Sequence, residues 1–370
     1  MNSENLYEIL GAELEPDILL PLAELAMISQ PSKRISKYSI DLFTYPTVGG
    51  YFVALAKSLE QKALMAGAKL EINPVAMSDE QIGELERRLL DLTLEESLSQ
   101  PAERVNRLMA PGTKTRVLGF SSGKGGVGKS SVTVGVATAL ARRGHRVGIL
   151  DADVYGFSIP KMLGIQRPPA VIGKVIIPPV AWGIKTMSVG YFVSDDTPVI
   201  WRGPMLHKAL EQFLVDVYWG DIEYLCIDLP PGTGDVTLSL AEYLPKVETF
   251  VVTTPQDAAE RVAQRSALAA RKLKLPLRGV IENMSYFRGD DQKRYDIFGS
   301  GGGQKLSASL DVPLIGTIPI DIPLREGGDV GIPVVISKPE SEVTAEFLRI
   351  AQTIEAMGPA RIYKSELKVR

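Results

Sequence analysis

The sequence predicts an α/β protein: a doubly wound, mostly parallel sheet preceded by a small α+β domain. Two observations carry this. After Arg116, short apolar runs ("RVLGFSS", "RVGILDAD", "YLCIDLP", "TFVVTTP", "LRGVIENMS", "PLIGTIP") recur, with segments at helical spacing between several of them. Strands that alternate with helices in this way form a parallel sheet covered on both faces. Before that point, two segments alternate apolar and polar residues, around Ile35–Phe43 and Lys69–Val75, with a helical stretch, Phe52–Ala66, between them. A chain of 370 residues has room for both parts.

In order, residues 1–95 read as the α+β domain. It closes on "SDEQIGELERRLL", a charged amphipathic helix for which Ser78 is the expected N-cap. From Leu98 to Thr115 periodicity is lost. "SLSQPAERVNRLMAPGTKT" carries two prolines and several basic residues, so 96–115 reads as a linker. Residues 116–340 form the larger domain, in which "SVTVGVATALARRG" is a helix stopped by Gly144. Residues 341–370 are a helix near Ser341–Met357 and a short polar tail.

Composition excludes several classes. The chain is 45% hydrophobic and 23% charged, ordinary for a globular protein, and its net charge of −3 offers nucleic acid no general basic field. No apolar run reaches the roughly 18 to 20 residues that span a bilayer. The start "MNSENLYEIL" lacks a signal pattern, so no membrane partner and a cytoplasmic location are expected. Cys226 is the one cysteine, which excludes an internal disulfide and a cysteine-only metal site within one chain. The two histidines, His145 and His207, show no metal-ligand spacing and read as surface or packing residues.

Gly123 to Ser130, "GKGGVGKS", satisfies G-x-x-x-x-G-K-[ST] between a predicted strand and a predicted helix. In such a loop, glycines let backbone N–H groups turn inward around phosphate, and the helix N-terminus adds favourable electrostatics. Gly123, Lys124, Gly125, Gly126, Val127, Gly128, Lys129, Ser130 and Ser131 are the ATP-binding candidates. Lys129 reaches the β- and γ-phosphates and Ser130 offers a hydroxyl to Mg²⁺. Asp228 ends the run "LCID", where a carboxylate would hold Mg²⁺ through water. Asp151 and Asp153, in "LDADVYG", end another strand. There a carboxylate orients the attacking water or the metal's water shell, or else closes a turn with Asx hydrogen bonds. The turn reading is the stronger for Asp151.

With its additional Lys124, the loop is the deviant Walker A form and resembles that of the nitrogenase iron protein and the MinD and ParA ATPases. Within that group the chain is most similar to the Mrp/ApbC iron–sulfur carrier ATPases, through "SGKGGVGKS", "LDADVYGFSIPKMLG", "WRGPM", "IDLPPGTGDV", "VVTTPQDAA", "VIENMSYF", "DIFGSGGG" and "IPLREGGD", spanning roughly residues 116 to 335. The resemblance implies an ATPase whose nucleotide lies at a homodimer interface. Lys124 then reaches phosphate in the partner subunit, supplying positive charge as an arginine finger does. Lys124, Lys129 and Asp153 are the implied catalytic residues, with Asp153 at the water-positioning place. Asn283 matches the position that reads the adenine edge, with a strand-end turn residue as the other reading. Pro319 to Asp321 resembles the loop that closes over the base. The first ninety residues more weakly resemble the small FSCA-type domain that precedes these ATPases, through "LGAELEPDILLPLAELAMI" and "LFTYPTVGG".

The chain also departs from that family. Mrp proteins usually carry C-x-x-C shortly after N-M-S, so that two subunits offer four thiolates to one cluster. Here "NMSYFRGDDQKRYDIFG" holds none, and Val48 stands at the cysteine position of the small domain. Asp290 and Asp291 read as a solvated turn, and Cys226, inside an apolar run, as a buried hydrophobe. The resemblance thus implies ATP, Mg²⁺ and an iron–sulfur cluster as ligands, without visible cluster ligands. The expected partners are a second copy and iron–sulfur apoproteins or assembly factors. The alternatives are a positioning ATPase like MinD or ParA, and a nucleotide-binding scaffold that carries no cluster.

Overall fold

The computed structural model describes residues 2–46, 51–91, 108, 113–154, 156–192, 203–232 and 242–360. Val48, most of the 96–115 linker and the tail 361–370 lie outside them. By spatial contacts the chain forms two compact units. One comprises Met1–Val105, Arg167–Val180 and Val215–Gly220; the other comprises Asn106–Gln166, Ala181–Leu214 and Asp221–Arg370.

In the first unit, α1 (Ser3–Gly11), β1 (Ser32–Arg34), β2 (Lys37–Thr44), α2 (Tyr51–Met65), β3 (Leu70–Ala76) and α3 (Asp79–Leu90) follow one another. The sheet runs β1-β2-β3, with β1 antiparallel and β3 parallel to β2. The alternation in β2 buries Tyr38, Ile40 and Leu42 on one face, in one apolar cluster with Leu55 and Leu59 of α2 and Leu85 and Leu89 of α3. Ser78 caps α3 in a full capping box with Gln81. A short antiparallel hairpin, β6 (Ala170–Ile172) and β7 (Val175–Ile177), joins this core through Ala170, Ile172, Val175 and Ile177. Its residues lie within the stretch 116–340 of the sequence and belong in space to the N-terminal unit.

The second unit is built on an eight-stranded sheet in the order β15-β12-β11-β4-β10-β5-β9-β8. Its strands are β4 (Arg116–Ser122), β5 (Val147–Asp151), β8 (Val180–Ala181), β9 (Ile184–Ser188), β10 (Tyr224–Asp228), β11 (Glu248–Thr253), β12 (Leu277–Glu282) and β15 (Leu314–Thr317). All pairings from β15 to β9 are parallel. β9 carries no separate signal in the sequence, because "GIKTMSV" is too short and mixed to stand out; it is fully buried beside β5. β8 turns into β9 through Trp182 and Gly183, both at positive φ, as a two-residue hairpin turn demands.

Helix α4 (Lys129–Arg142) follows β4 and is apolar nearly all round. It therefore packs on both sides: against the sheet, and against α11 (Glu342–Met357), where a Cβ on Gly135 would lie 2.2 Å from the Phe347 ring. The remaining helices are α5 (Ile159–Met162), α6 (Gly203–Val215), α7 (Asp257–Lys272), α8 (Gly302–Leu310), α9 (Ile322–Val330) and α10 (Val334–Ser337). From β4 the chain moves across the sheet to β5, and from β10 it crosses back to β11. The sheet's direction of winding thus reverses around β4, where ligands of such sheets bind at the carboxyl ends of the strands.

Candidate functional site

The carboxyl ends of β4, β5 and β10 bring most of the candidate residues together. β10 lies between β4 and β5 in register, with Asp228 opposite Phe120 on one side and Asp151 on the other. The loop 123–128 leaves β4 and enters α4. Gly126 and Gly128 have φ of +78° and +77°, a conformation other residues reach only with strain. Gly125 and Gly126 are exposed, and a Cβ on either would meet nothing within 4 Å. On the opposite side the loop is tightly backed, since a Cβ on Gly123 would sit 2.2 Å from the Ala263 backbone nitrogen in α7.

Lys129 is the first residue of α4 and is buried. Its Nζ pairs with Asp228 Oδ1 at 2.7 Å and stands 3.5 Å from Asp153 Oδ2. Ser130 Oγ donates to Asp228 Oδ2 at 2.6 Å, and Thr133 Oγ1 donates to Asp228 Oδ1 at 3.0 Å. Ser131 follows in the same turn. Asp228 is fully buried; burial pushes its carboxyl pKa up, while Lys129, Ser130 and Thr133 pull it down. A buried ammonium at the end of an open glycine arc fits a polyanion. Hydroxyl and carboxylate oxygens side by side fit a hard cation such as Mg²⁺.

Asp151 and Asp153 have different surroundings. Asp151 is fully buried and accepts from the Asp153, Ser158 and Ile159 N–H groups and from Ser188 Oγ, all at 3.1 to 3.3 Å. These are the contacts of an Asx turn that also pins the start of α5. Burial, then the nearby Asp228, raises the Asp151 carboxyl to about 7. Asp153 faces Lys129 at the rim of the site.

Lys124 donates to Gln256 Oε1, 3.3 Å away, in the turn after β11. Asn283, at the end of β12, is buried and donates to Val127 O at 2.9 Å. Pro319 lies in a segment laced to 282–286 by Ile318 N–H on Glu282 O and Ile320 N–H on Tyr286 O. The Asp321 carboxylate caps α9 by accepting from Leu324 N–H, and burial raises its pKa. Thr133 and Gln256 are absent from the sequence reading. Thr133 carried a usable signal, since it lies one helical turn beyond Lys129 and Ser130 and shares their face.

The segment after Asn283 is a small hairpin, β13 (Phe287–Arg288) paired with β14 (Arg294–Tyr295). Asp291 accepts from Lys293 N–H and Tyr295 Oη in its turn, which holds its pKa down. The hairpin is tied to α11 by Arg288 and Tyr286 on Glu342, with the Arg294 guanidinium over the Tyr286 ring. Cys226 is a free, fully buried thiol in mid-β10, and burial pushes its pKa up. His145 lies between Glu223 and Glu355, and His207 meets Tyr243 Oη. Among the described residues no group of three or more His, Cys, Asp or Glu side chains is placed to hold a metal ion, and no helix is long and apolar enough to cross a membrane.

Comparison with known proteins bears on the family and the fold. The family profile described as ParA, NUBPL iron-transfer P-loop NTPase, matches residues 113–355. The chain is 42% identical over 352 residues to the iron-sulfur cluster carrier protein of Mycobacterium leprae, covering 94% of this chain and 84% of that one. It is 47% identical over 243 residues to the iron-sulfur cluster carrier protein of Escherichia coli K12, covering 65% of this chain and 66% of that one. A nucleotide-binding protein from Archaeoglobus fulgidus, solved in complex with ADP, superposes with a TM-score of 0.53 at 32% identity, over 62% of this chain and 92% of that one.

Proposed function

The chain belongs to the NUBPL/ParA family of iron-transfer P-loop NTPases, and from that premise we propose that it is a homodimeric, Mg²⁺-dependent ATPase that carries or helps assemble iron–sulfur clusters for apoprotein targets. The observation that carries this reading is the convergence of Lys129, Ser130, Asp153 and Asp228 on one point beneath the glycine loop. ATP phosphates lie in the loop, held by its N–H groups and the start of α4. Lys129 exchanges its carboxylate neighbours for phosphate oxygens. Ser130 and Asp228 would hold Mg²⁺, which when bound would neutralise charge on the phosphates. Asp153 orients the attacking water. Lys124 crosses to the partner subunit's nucleotide, and Asn283 with Pro319–Asp321 borders the adenine.

The cluster is cargo, and this chain's thiols do not suit it. Two copies of Cys226 supply two sulfurs where a [4Fe–4S] cluster needs four ligands, and each is buried and protonated. If a cluster is carried, its ligands therefore come from the protein that gives or receives it. Anaerobic purification with native partners, followed by iron and acid-labile sulfide analysis, tests the carrier role; no cluster with any partner present removes it. Phosphate release from Lys129→Ala tests the ATPase role, and unchanged turnover removes that.

A further inference from the structure

Asn283 is 3% exposed, and its Nδ2 donates to Val127 O across 156 residues of chain. A backbone carbonyl only accepts, so the amide atom facing it must be the nitrogen. The Asn283 backbone is itself held, its N–H donating to Thr253 O at 2.8 Å. The loop presses closely on this amide, since a Cβ on Gly128 would lie 2.2 Å from Asn283 Nδ2. The peptide between Val127 and Gly128 is planar and trans, so its N–H points opposite to its carbonyl. Holding the Val127 carbonyl towards Asn283 therefore aims the Gly128 N–H away from Asn283.

We infer that Asn283 is a positioning residue for the phosphate loop: its amide holds the Val127 carbonyl and so turns the Gly128 N–H towards bound phosphate. This rests on the reading of the site as a nucleotide site, and it gives Asn283 a task that is independent of the base. The same bond fixes which way the amide faces. Its oxygen is left as the acceptor for a purine amino group, so base selection and phosphate grip share one side chain.

The test uses a ligand without a base. Mg·tripolyphosphate is titrated calorimetrically into the full-length wild type, Asn283→Ala and Asn283→Asp, with unfolding temperatures recorded for each. Both variants should bind about tenfold more weakly, the effect of one hydrogen bond at a charged ligand. Asn283→Asp keeps the volume but loses the donor when ionised. Its affinity relative to wild type should recover from about pH 8 to about pH 5, because burial beside phosphate raises the new carboxyl's pKa above its usual value and it regains a proton to donate. Asn283→Ala should show no such recovery. Unchanged tripolyphosphate affinity in both variants would leave only a base contact and overturn the inference. Equal loss in Asn283→Asp at both pH values would overturn it too, as general disruption. Failure of the wild type to bind either ATP or tripolyphosphate would instead overturn the nucleotide reading on which the inference stands.

Discussion

Arg116 and Glu248 form a two-bonded ion pair at the first residues of β4 and β11, with Nε to Oε1 and Nη2 to Oε2 both at 2.9 Å. Both are buried, and the same carboxylate meets Arg278 Nε at 3.0 Å. Arg116 also donates to Ile354 O, so the pair ties these two neighbouring strands to the last turn of α11. Glu248→Ala leaves two guanidinium groups facing a buried gap. It should cost about 3 to 5 kcal/mol in urea unfolding. A loss below about 1 kcal/mol would mean that water solvates the pair as it does an exposed one.

Lys124 and Lys129 should separate in function. Lys129 lies among the carboxylates of its own site, whereas the Lys124 ammonium meets the neutral Gln256. Lys124→Ala should reduce hydrolysis by about a hundredfold or more while ATP affinity stays close to wild type. Lys129→Ala should lose both. Turnover retained in Lys124→Ala, measured as phosphate release, contradicts a role for this lysine in the transition state.

Glu15 gives the N-terminal unit a pH dependence. It is fully buried, accepts from the Asp17 N–H, the Ile18 N–H and Tyr45 Oη, and burial raises its pKa from 4.5 to about 7. A raised carboxyl binds its proton more tightly folded than unfolded. Between about pH 4.5 and 7 the folded state therefore holds more protons, and this group's contribution falls as pH rises, by up to about 3 kcal/mol, then levels off. Glu15→Gln mimics the protonated form, with an amide that can donate to Tyr45. Thermal unfolding from pH 5 to 8 should show a slope in the wild type that is reduced in the variant; parallel curves would refute it.

Cys226 should resist iodoacetamide in the native protein and react only in denaturant, because the thiol is enclosed and protonated. Cys226→Val should retain whatever iron the wild type binds with a partner. A drop in iron content in that variant would make Cys226 a ligand after all.

Much of the fold was legible because its signals are local. The runs at Val147–Asp151, Tyr224–Asp228 and Glu248–Thr253 are apolar enough to mark buried strands, and Ser78 with Gln81 marks a helix start. β9 and the β6–β7 hairpin were not legible. Their strands are three to five residues long, and their burial comes from partners far away in sequence. The segment "RGDDQKR" reads as a charged loop; the structure folds it as part of a short hairpin, because Glu342, more than fifty residues on, holds Arg288 and Tyr286.

For the proposed site, the sequence by itself determined which chemical groups are on offer. A strand, a glycine arc and a helix opening on Lys129 and Ser130 are contiguous, so backbone geometry alone makes an anion cradle there, and Asp153 and Asp228 announce themselves as carboxylates at strand ends. Only the tertiary structure decided how that chemistry is held. It put Thr133 on Asp228, separated Asp151 in its turn from Asp153 beside Lys129, and set Asn283 against Val127. Those contacts join residues from different strands, and what selects them is strand order and register, which no local pattern encodes.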